Sequence, residues 1–182
     1  GRSVLDLACG TGVVAHLLAS EVGPSGSVLG MDMNQQMLDI AAAQSESRPN
    51  LKFVVCSAEK LDAPASEFDH VICQQGFQFF SDKGAAAKEI HRVLHEGGTA
   101  IVSVWRPVLE CQFFGAICDA LIAIDEHEIA NAMRTPFDFM PREELISSFA
   151  SAGFSTVTAE KKEMDLLMPG GIEQAIRAAY ST

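Results

Sequence analysis

The chain has no cluster of Lys and Arg, no pair of cysteines spaced C-x-x-C, and no apolar stretch near the roughly 18 to 20 residues of a membrane-spanning helix. Each absence removes a class of function. Against 24 acidic residues stand only 13 Lys and Arg, a formal net charge of −11. Proteins that grip nucleic-acid phosphates do so with clustered cations, so a nucleic-acid partner is not expected. The cysteines number five, an odd count without paired spacing, which argues against a disulfide framework and a structural zinc site. Free thiols suit a reducing compartment, and no charged-then-apolar leader opens the chain, so the protein reads as cytosolic. Gly1-Arg2-Ser3 leads almost at once into a strand pattern, as if residues were missing upstream.

What is present is an alternation. Apolar, β-branched runs bounded by turn residues recur at 3–8, 27–32, 51–56, 69–74 and 99–105. Helical spacing marks 12–21, 34–45 with Asn34 as N-cap, and 81–94 with Gly97-Gly98 as its stop. Strand alternating with helix predicts crossover connections, a mostly parallel sheet with helices on both faces, and a ligand site at the carboxyl ends of the strands. At 182 residues one domain is expected. The rhythm breaks after Trp105. Residues 106–140 are long for a connection and partly apolar (Phe113, Phe114, Ile117, Phe137, Phe139), with a helix expected over 110–125. A helix over 141–152, a Gly153 stop, a strand over 154–164 and a final helix after Pro169 complete the pattern.

The stretch VLDLACGTGVVAHLL runs from strand through glycines into helix. Gly10, Gly12 and Ala15 satisfy the G-x-G-x-x-G/A spacing of nucleotide-binding loops, a weak signal by itself. Asp6 sharpens it. A carboxylate four residues before the first glycine would repel a pyrophosphate and suits a cofactor whose nearby part is cationic, such as S-adenosylmethionine with its ammonium and sulfonium. At 4 Å two unit charges interact by roughly 4 kcal/mol at an effective dielectric near 20, enough for the sign of the partner to decide. Asp6 can also serve simply to bond loop amides. Asp32, twenty residues past Gly12, is placed for two ribose hydroxyls, which NAD and S-adenosylmethionine both present. Met33 and Met37 follow, as packing for an adenine face or as core filling. Ser57, Ala58 and Glu59 end the third strand, either as a polar edge for an adenine amino group or as a solvated turn.

VLDLACGTG, GMD, SAE, EFDHVICQQGFQFF and IHRVLHEGGTAIVSVW, in that order, resemble the motifs of class I S-adenosylmethionine-dependent methyltransferases. Within that class the chain is similar to the bacterial small-molecule methyltransferases related to ubiquinone and menaquinone synthesis, well over 3–105 and more loosely over 141–163. The resemblance implies a Rossmann-like, doubly wound α/β fold in which Asp6, Ala8, Cys9, Gly10 and Gly12 form the cofactor loop. It further implies that Asp32 holds the ribose, that Ala58 and Glu59 lie at the adenine, and that Gln74 faces the methionine end. Residues 1–182 would form one methyltransferase domain: a cofactor-binding core over 1–105, an insertion over 106–140 as candidate substrate lid, and a C-terminal part over 141–182. The fold carries seven strands and a helix before the first. Six strands and no such helix are found here, so an exposed sheet edge, and with it a homodimer or weak cofactor affinity, is expected.

The expected chemistry is in-line methyl transfer to a small molecule, apolar or aromatic. No catalytic residue can be assigned: His91 and His95 fall near a helix end, His16 in a helix and His70 in a strand, leaving His127 as the one candidate base. CQQGFQFF lacks the proline of the motif that amino-methylating DNA enzymes carry. A non-catalytic S-adenosylmethionine-binding module and an NAD-dependent oxidoreductase are the alternatives. A collapsed space beside Gln74 and the insertion would favour the first of these.

Overall fold

The computed structural model describes residues 1–45, 48–137 and 140–163. Five parallel strands, β1 (Ser3–Leu7), β2 (Ser27–Asp32), β3 (Leu51–Val55), β4 (Phe68–Gln74) and β5 (Leu94–Ser103), form one sheet in the order β3-β2-β1-β4-β5. α1 (Val13–Val22) and α2 (Gln35–Ala43) connect the first three strands; the chain then crosses back to β4, and α3 (Lys83–Val93) leads into β5. The direction of winding therefore reverses between β1 and β4, which opens a crevice at their carboxyl ends.

The central strand shows why the sheet has two faces. Along SVLDL every residue after Ser3 is buried, as in a parallel strand covered on both sides. Alternation sends Val4 to a cluster with Ala15 and Ala19 of α1, while Leu5 and Leu7 join Ala86, Ala87, Ile90 and Val93 of α3. Phe149 of a later helix, α6 (Arg142–Ser151), completes that second layer, its ring 5.1 Å from that of Phe77. Asn34 caps α2 as expected, its side chain accepting from the backbone N–H groups of Gln36 and Met37.

Three expectations are corrected. β5 begins at Leu94, directly after α3, and not at residue 99: Gly97-Gly98 forms an irregularity within the strand, where pairing with β4 jumps from Phe68–Leu94 to His70–Thr99 and Gly97 takes φ +77°. The insertion holds two helices, α4 (Gln112–Ala123) and α5 (His127–Arg134), because Asp125 adopts φ +66° and breaks the path. Residues 154–163 form no strand, so the described sheet has five strands and not six. Phe154 instead packs edge-on to His91, with ring centroids 5.0 Å apart. Phe139 and the helix expected after Pro169 lie outside the described residues.

Gly12 joins the layers. It takes φ +82°, and a Cβ there would lie 2.9 Å from Ala41 Cβ and 3.0 Å from the Phe53 ring. Gly23 has a similar φ of +69° but open space around it. Chemical unfolding should therefore show Gly12→Ala losing about 2 kcal/mol or more and Gly23→Ala only about 1 kcal/mol. Equal losses would mean that backbone strain, and not the close approach of α2 and β3, sets the need for glycine.

Candidate active site

The turn between β1 and α1 is left-handed at three residues, Ala8 (φ 57°), Gly10 (φ 53°) and Gly12 (φ 82°). It is tied down from two sides. Asp32, at the end of β2, accepts from the Gly10 N–H through Oδ2 at 2.9 Å and from the Asn34 N–H through Oδ1 at 2.8 Å. The Cys9 N–H donates to the Met31 carbonyl at 3.1 Å. A cleft of about 300 Å³ opens above this turn, lined by Asp6, Ala8, Cys9, Gly10, Met37 and Gln74 among others. A groove of about 450 Å³ opens at the amino ends of the strands, beside Ser3, Ser27, Asn50 and Glu67. It is the larger of the two, but it holds neither the glycine turn nor Gln74 and lies at the end where parallel sheets do not build sites.

Six of the twelve residues singled out in the sequence thus share one cleft, and Asp32 braces it from behind. The others are placed differently. Gly12 packs against α2 and β3, and Met33 points to solvent with 79% of its surface exposed. The turn 57–59 follows the β3 end, where the Cys56 N–H donates to the Asp32 carbonyl at 2.9 Å. There the Ala58 side chain is buried in the core, and Ser57 Oγ donates a short bond to Glu59. Glu59 Oε1 also accepts from the Ser81 N–H at 3.0 Å, and the Ser57 hydroxyl leads in holding its carboxyl below the usual range. Thr11, Val13 and Val14 also line the cleft and were missed. Their signal was position alone, inside the turn and the first turn of α1. His127 is exposed, with Nε2 3.1 Å from Asp125 Oδ1.

Asp6 is the anomaly. It is 1% exposed, and its Oδ2 is buried without a hydrogen-bond partner among the described residues. Burial pushes its pKa up to about 7; the Ala15 N–H pulls the other way, and the charge of Asp32 raises it further. A choice of cofactor by charge needs an ionised Asp6, whereas without a cation beside it the group is only partly ionised near neutral pH. Burial likewise pushes the Cys9 and Cys73 thiols up to about 12, so neither serves as a thiolate nucleophile. Among the described residues no His, Cys, Asp and Glu group is arranged to hold a metal, and no helix is long and apolar enough to cross a membrane.

The profile of a family described as "Methyltransferase domain" matches residues 4–98, from β1 through α3 into β5. The chain belongs to the S-adenosylmethionine-dependent methyltransferases. It is 31% identical to a demethylmenaquinone methyltransferase of Staphylococcus carnosus over 167 residues, 86% of this chain and 69% of that protein. An S-adenosylmethionine-dependent methyltransferase structure from Mesorhizobium loti aligns with TM-score 0.54 at 28% identity, over 59% of this chain and 49% of that one. One from Aquifex aeolicus aligns with TM-score 0.56 at 21% identity, over 58% and 57%, and supports the fold. The chain thus spans about half of each of those two structures. S-adenosylmethionine is the cofactor of this family, which sets the NAD reading aside.

Because the folded protein holds the Asp6 proton up to about pH 7 and the unfolded chain releases it near 3.8, folding is favoured by protonation. Asp6 therefore contributes stability that is present at acid pH and lost as pH rises through 7. Asp6→Asn removes that dependence, so its stability relative to wild type should be higher at pH 8 than at pH 5 in urea unfolding. A difference that stays constant with pH would contradict the buried, uncompensated carboxyl.

Proposed function

We propose that this protein transfers the methyl group of S-adenosylmethionine to a small-molecule acceptor with an apolar or aromatic body, and that the acceptor is quinone-like, as the name of its Staphylococcus relatives suggests. Asp6 carries the reading: a buried carboxylate with an unmatched oxygen in the cleft wall favours a cation and opposes a phosphate. Bound there, S-adenosylmethionine supplies a methyl carbon already activated by positive sulfur. The chain's own work is binding and orientation. Asp6 and Gln74 face the charged end, the left-handed turn at Gly10 keeps side chains out of the way, and the lone pairs left on Asp32 accept from ribose hydroxyls. Met37 and the 57–59 turn flank the base. Holding two reactants in line contributes roughly 7 to 11 kcal/mol in favourable systems, so a general base is optional. The family to which the chain belongs favours an enzyme over a purely binding module. We assign the protein to the cytosol, with no nucleic-acid partner.

Calorimetry tests the cofactor reading. Wild type should bind S-adenosylmethionine and S-adenosylhomocysteine and ignore NAD, and Asp32→Ala should weaken both by about tenfold to a hundredfold for each charged hydrogen bond lost. Asp6→Asn should weaken S-adenosylmethionine. Tighter binding of NAD, or an Asp6→Asn protein with wild-type affinity, would sink the charge argument.

A further inference from the structure

One wall of the cofactor cleft is made of a group that an oxidant can change. Met37 lines the cleft with 41% of its surface exposed, and its Sδ lies 3.8 Å from where a Cβ on Gly10 would fall. Its place is fixed by backbone. Met37 sits in the first turn of α2 and its N–H donates to Asn34 Oδ1 at 3.3 Å, while Asp32 accepts from the N–H groups of both Asn34 and Gly10. The thioether therefore stands against the glycine turn and is open to the cleft at once. Met33 makes the contrast, since it is 79% exposed and lies outside the cleft wall. Met31, in β2, is fully buried.

A thiol reacts with a peroxide as its thiolate, whereas a thioether has no proton to lose first. Of the five cysteines Cys9 alone lines the cleft, and burial, with the charges of Asp6 and Asp32 adding to it, pushes its pKa up to about 12. Cys73 is fully buried and is pushed equally high. Both stay protonated at neutral pH, so the sulfur that an oxidant finds in the cleft is that of Met37. Its oxidation is a balanced step. Sδ gives an electron pair to one oxygen of hydrogen peroxide, an S–O bond forms as the O–O bond breaks, and the other oxygen leaves as water. An apolar sulfur becomes a polar sulfoxide. Three backbone donors of the neighbouring turn are already used, since the Gly10 N–H goes to Asp32, the Cys9 N–H to the Met31 carbonyl and the Gly12 N–H to the Cys9 carbonyl. A ligand laid on the sulfoxide buries its oxygen where those donors are spent, which costs affinity.

We propose that Met37 is an oxidative modification site that controls cofactor binding: peroxide converts it to the sulfoxide when the cleft is empty, the sulfoxide weakens S-adenosylmethionine, and bound cofactor shields the sulfur. This rests on the cofactor reading and adds to it a regulation of the same cleft. The change is reversible, because methionine sulfoxide reductases return the thioether.

Wild type is treated with hydrogen peroxide with and without saturating S-adenosylhomocysteine, peptide mass spectrometry follows each methionine and cysteine, and calorimetry measures S-adenosylhomocysteine affinity before and after. Without ligand Met33 and Met37 should each gain one oxygen. With ligand Met37 should be slowed severalfold and Met33 should not. Affinity should fall about tenfold or more in step with the Met37 sulfoxide, and methionine sulfoxide reductases should restore it. Met33→Leu should lose the same factor on oxidation, and Met37→Leu, whatever its starting affinity, should keep that affinity after peroxide. Where Met37→Leu folds poorly, wild type decides, since its loss must track Met37 and not Met33 or a cysteine. The proposal is overturned if ligand leaves Met37 unshielded, if oxidised wild type binds as before, or if Met37→Leu loses affinity as wild type does. Failure of untreated wild type to bind S-adenosylhomocysteine would instead remove the cofactor reading beneath it.

Discussion

The site depends on one bracket, the carboxylate of Asp32 held between two backbone N–H groups. Through Gly10 it fixes the turn after β1, and through Asn34 it fixes the start of α2. Charge-assisted bonds of this kind are among the stronger hydrogen bonds a protein makes. Both contacts come from backbone, so they set where the chain runs whatever the side chains are. With the turn held there, Gly12 can touch Ala41 and Phe53, and α1 and α2 can cover the same face of the sheet. A carboxylate offers about four lone-pair positions, so two remain after the bracket is made. One residue can therefore be structural and still receive a ligand.

The other wall of the cleft is fixed by contact and not by charge. Gly76, after β4, lies where any Cβ would fall 2.5 Å from Ala8 Cβ, so the turn after β1 and the loop after β4 are pressed together. Positive φ at both Ala8 and Gln75 marks that this close approach bends the backbone on each side. A cleft bounded by two loops in direct contact is preformed, and preorganisation is where orientation catalysis takes its effect. The insertion is joined differently. Gln78 reaches Pro136 through a side-chain amide, and a chain of exposed ions links Arg106, Glu110 and Lys161. Such exposed pairs hold weakly.

The sequence made the core legible because its signals are local. In VLDLACGTGVVAHLL the period changes from two to three and a half across the glycines, and the strand, turn and helix follow that change. What was misread depended on partners far along the chain. FSTVTAEKKE has a strand's composition, yet a strand exists only with a neighbour to share its hydrogen bonds, and 154–163 finds none. α5 escaped notice because HEIANAMR buries only Ala130 and looks like a solvated loop. Thr99 reads as the start of β5 because regular pairing resumes there, while the irregularity before it is invisible without β4. The position of Asp6 could be read from the alternation of β1, but its proton could not. That depends on how closely α1 packs and on Asp32 close by.

Asp6 and Asp32 together set the electrostatics of the cleft. Burial leaves Asp6 too little water to ionise freely, and the charge of Asp32 raises the cost further. The folded protein lives with this in one of two ways: it keeps a proton on Asp6, or it accepts a positive group into the cleft. A cation placed beside Oδ2 supplies the missing partner and releases the proton, so part of its binding energy comes from relief of a strain built in at folding. A phosphate would add a third negative charge to the same turn. The glycine spacing alone permits either ligand; under the proposed function it is the buried acid behind it that chooses between them.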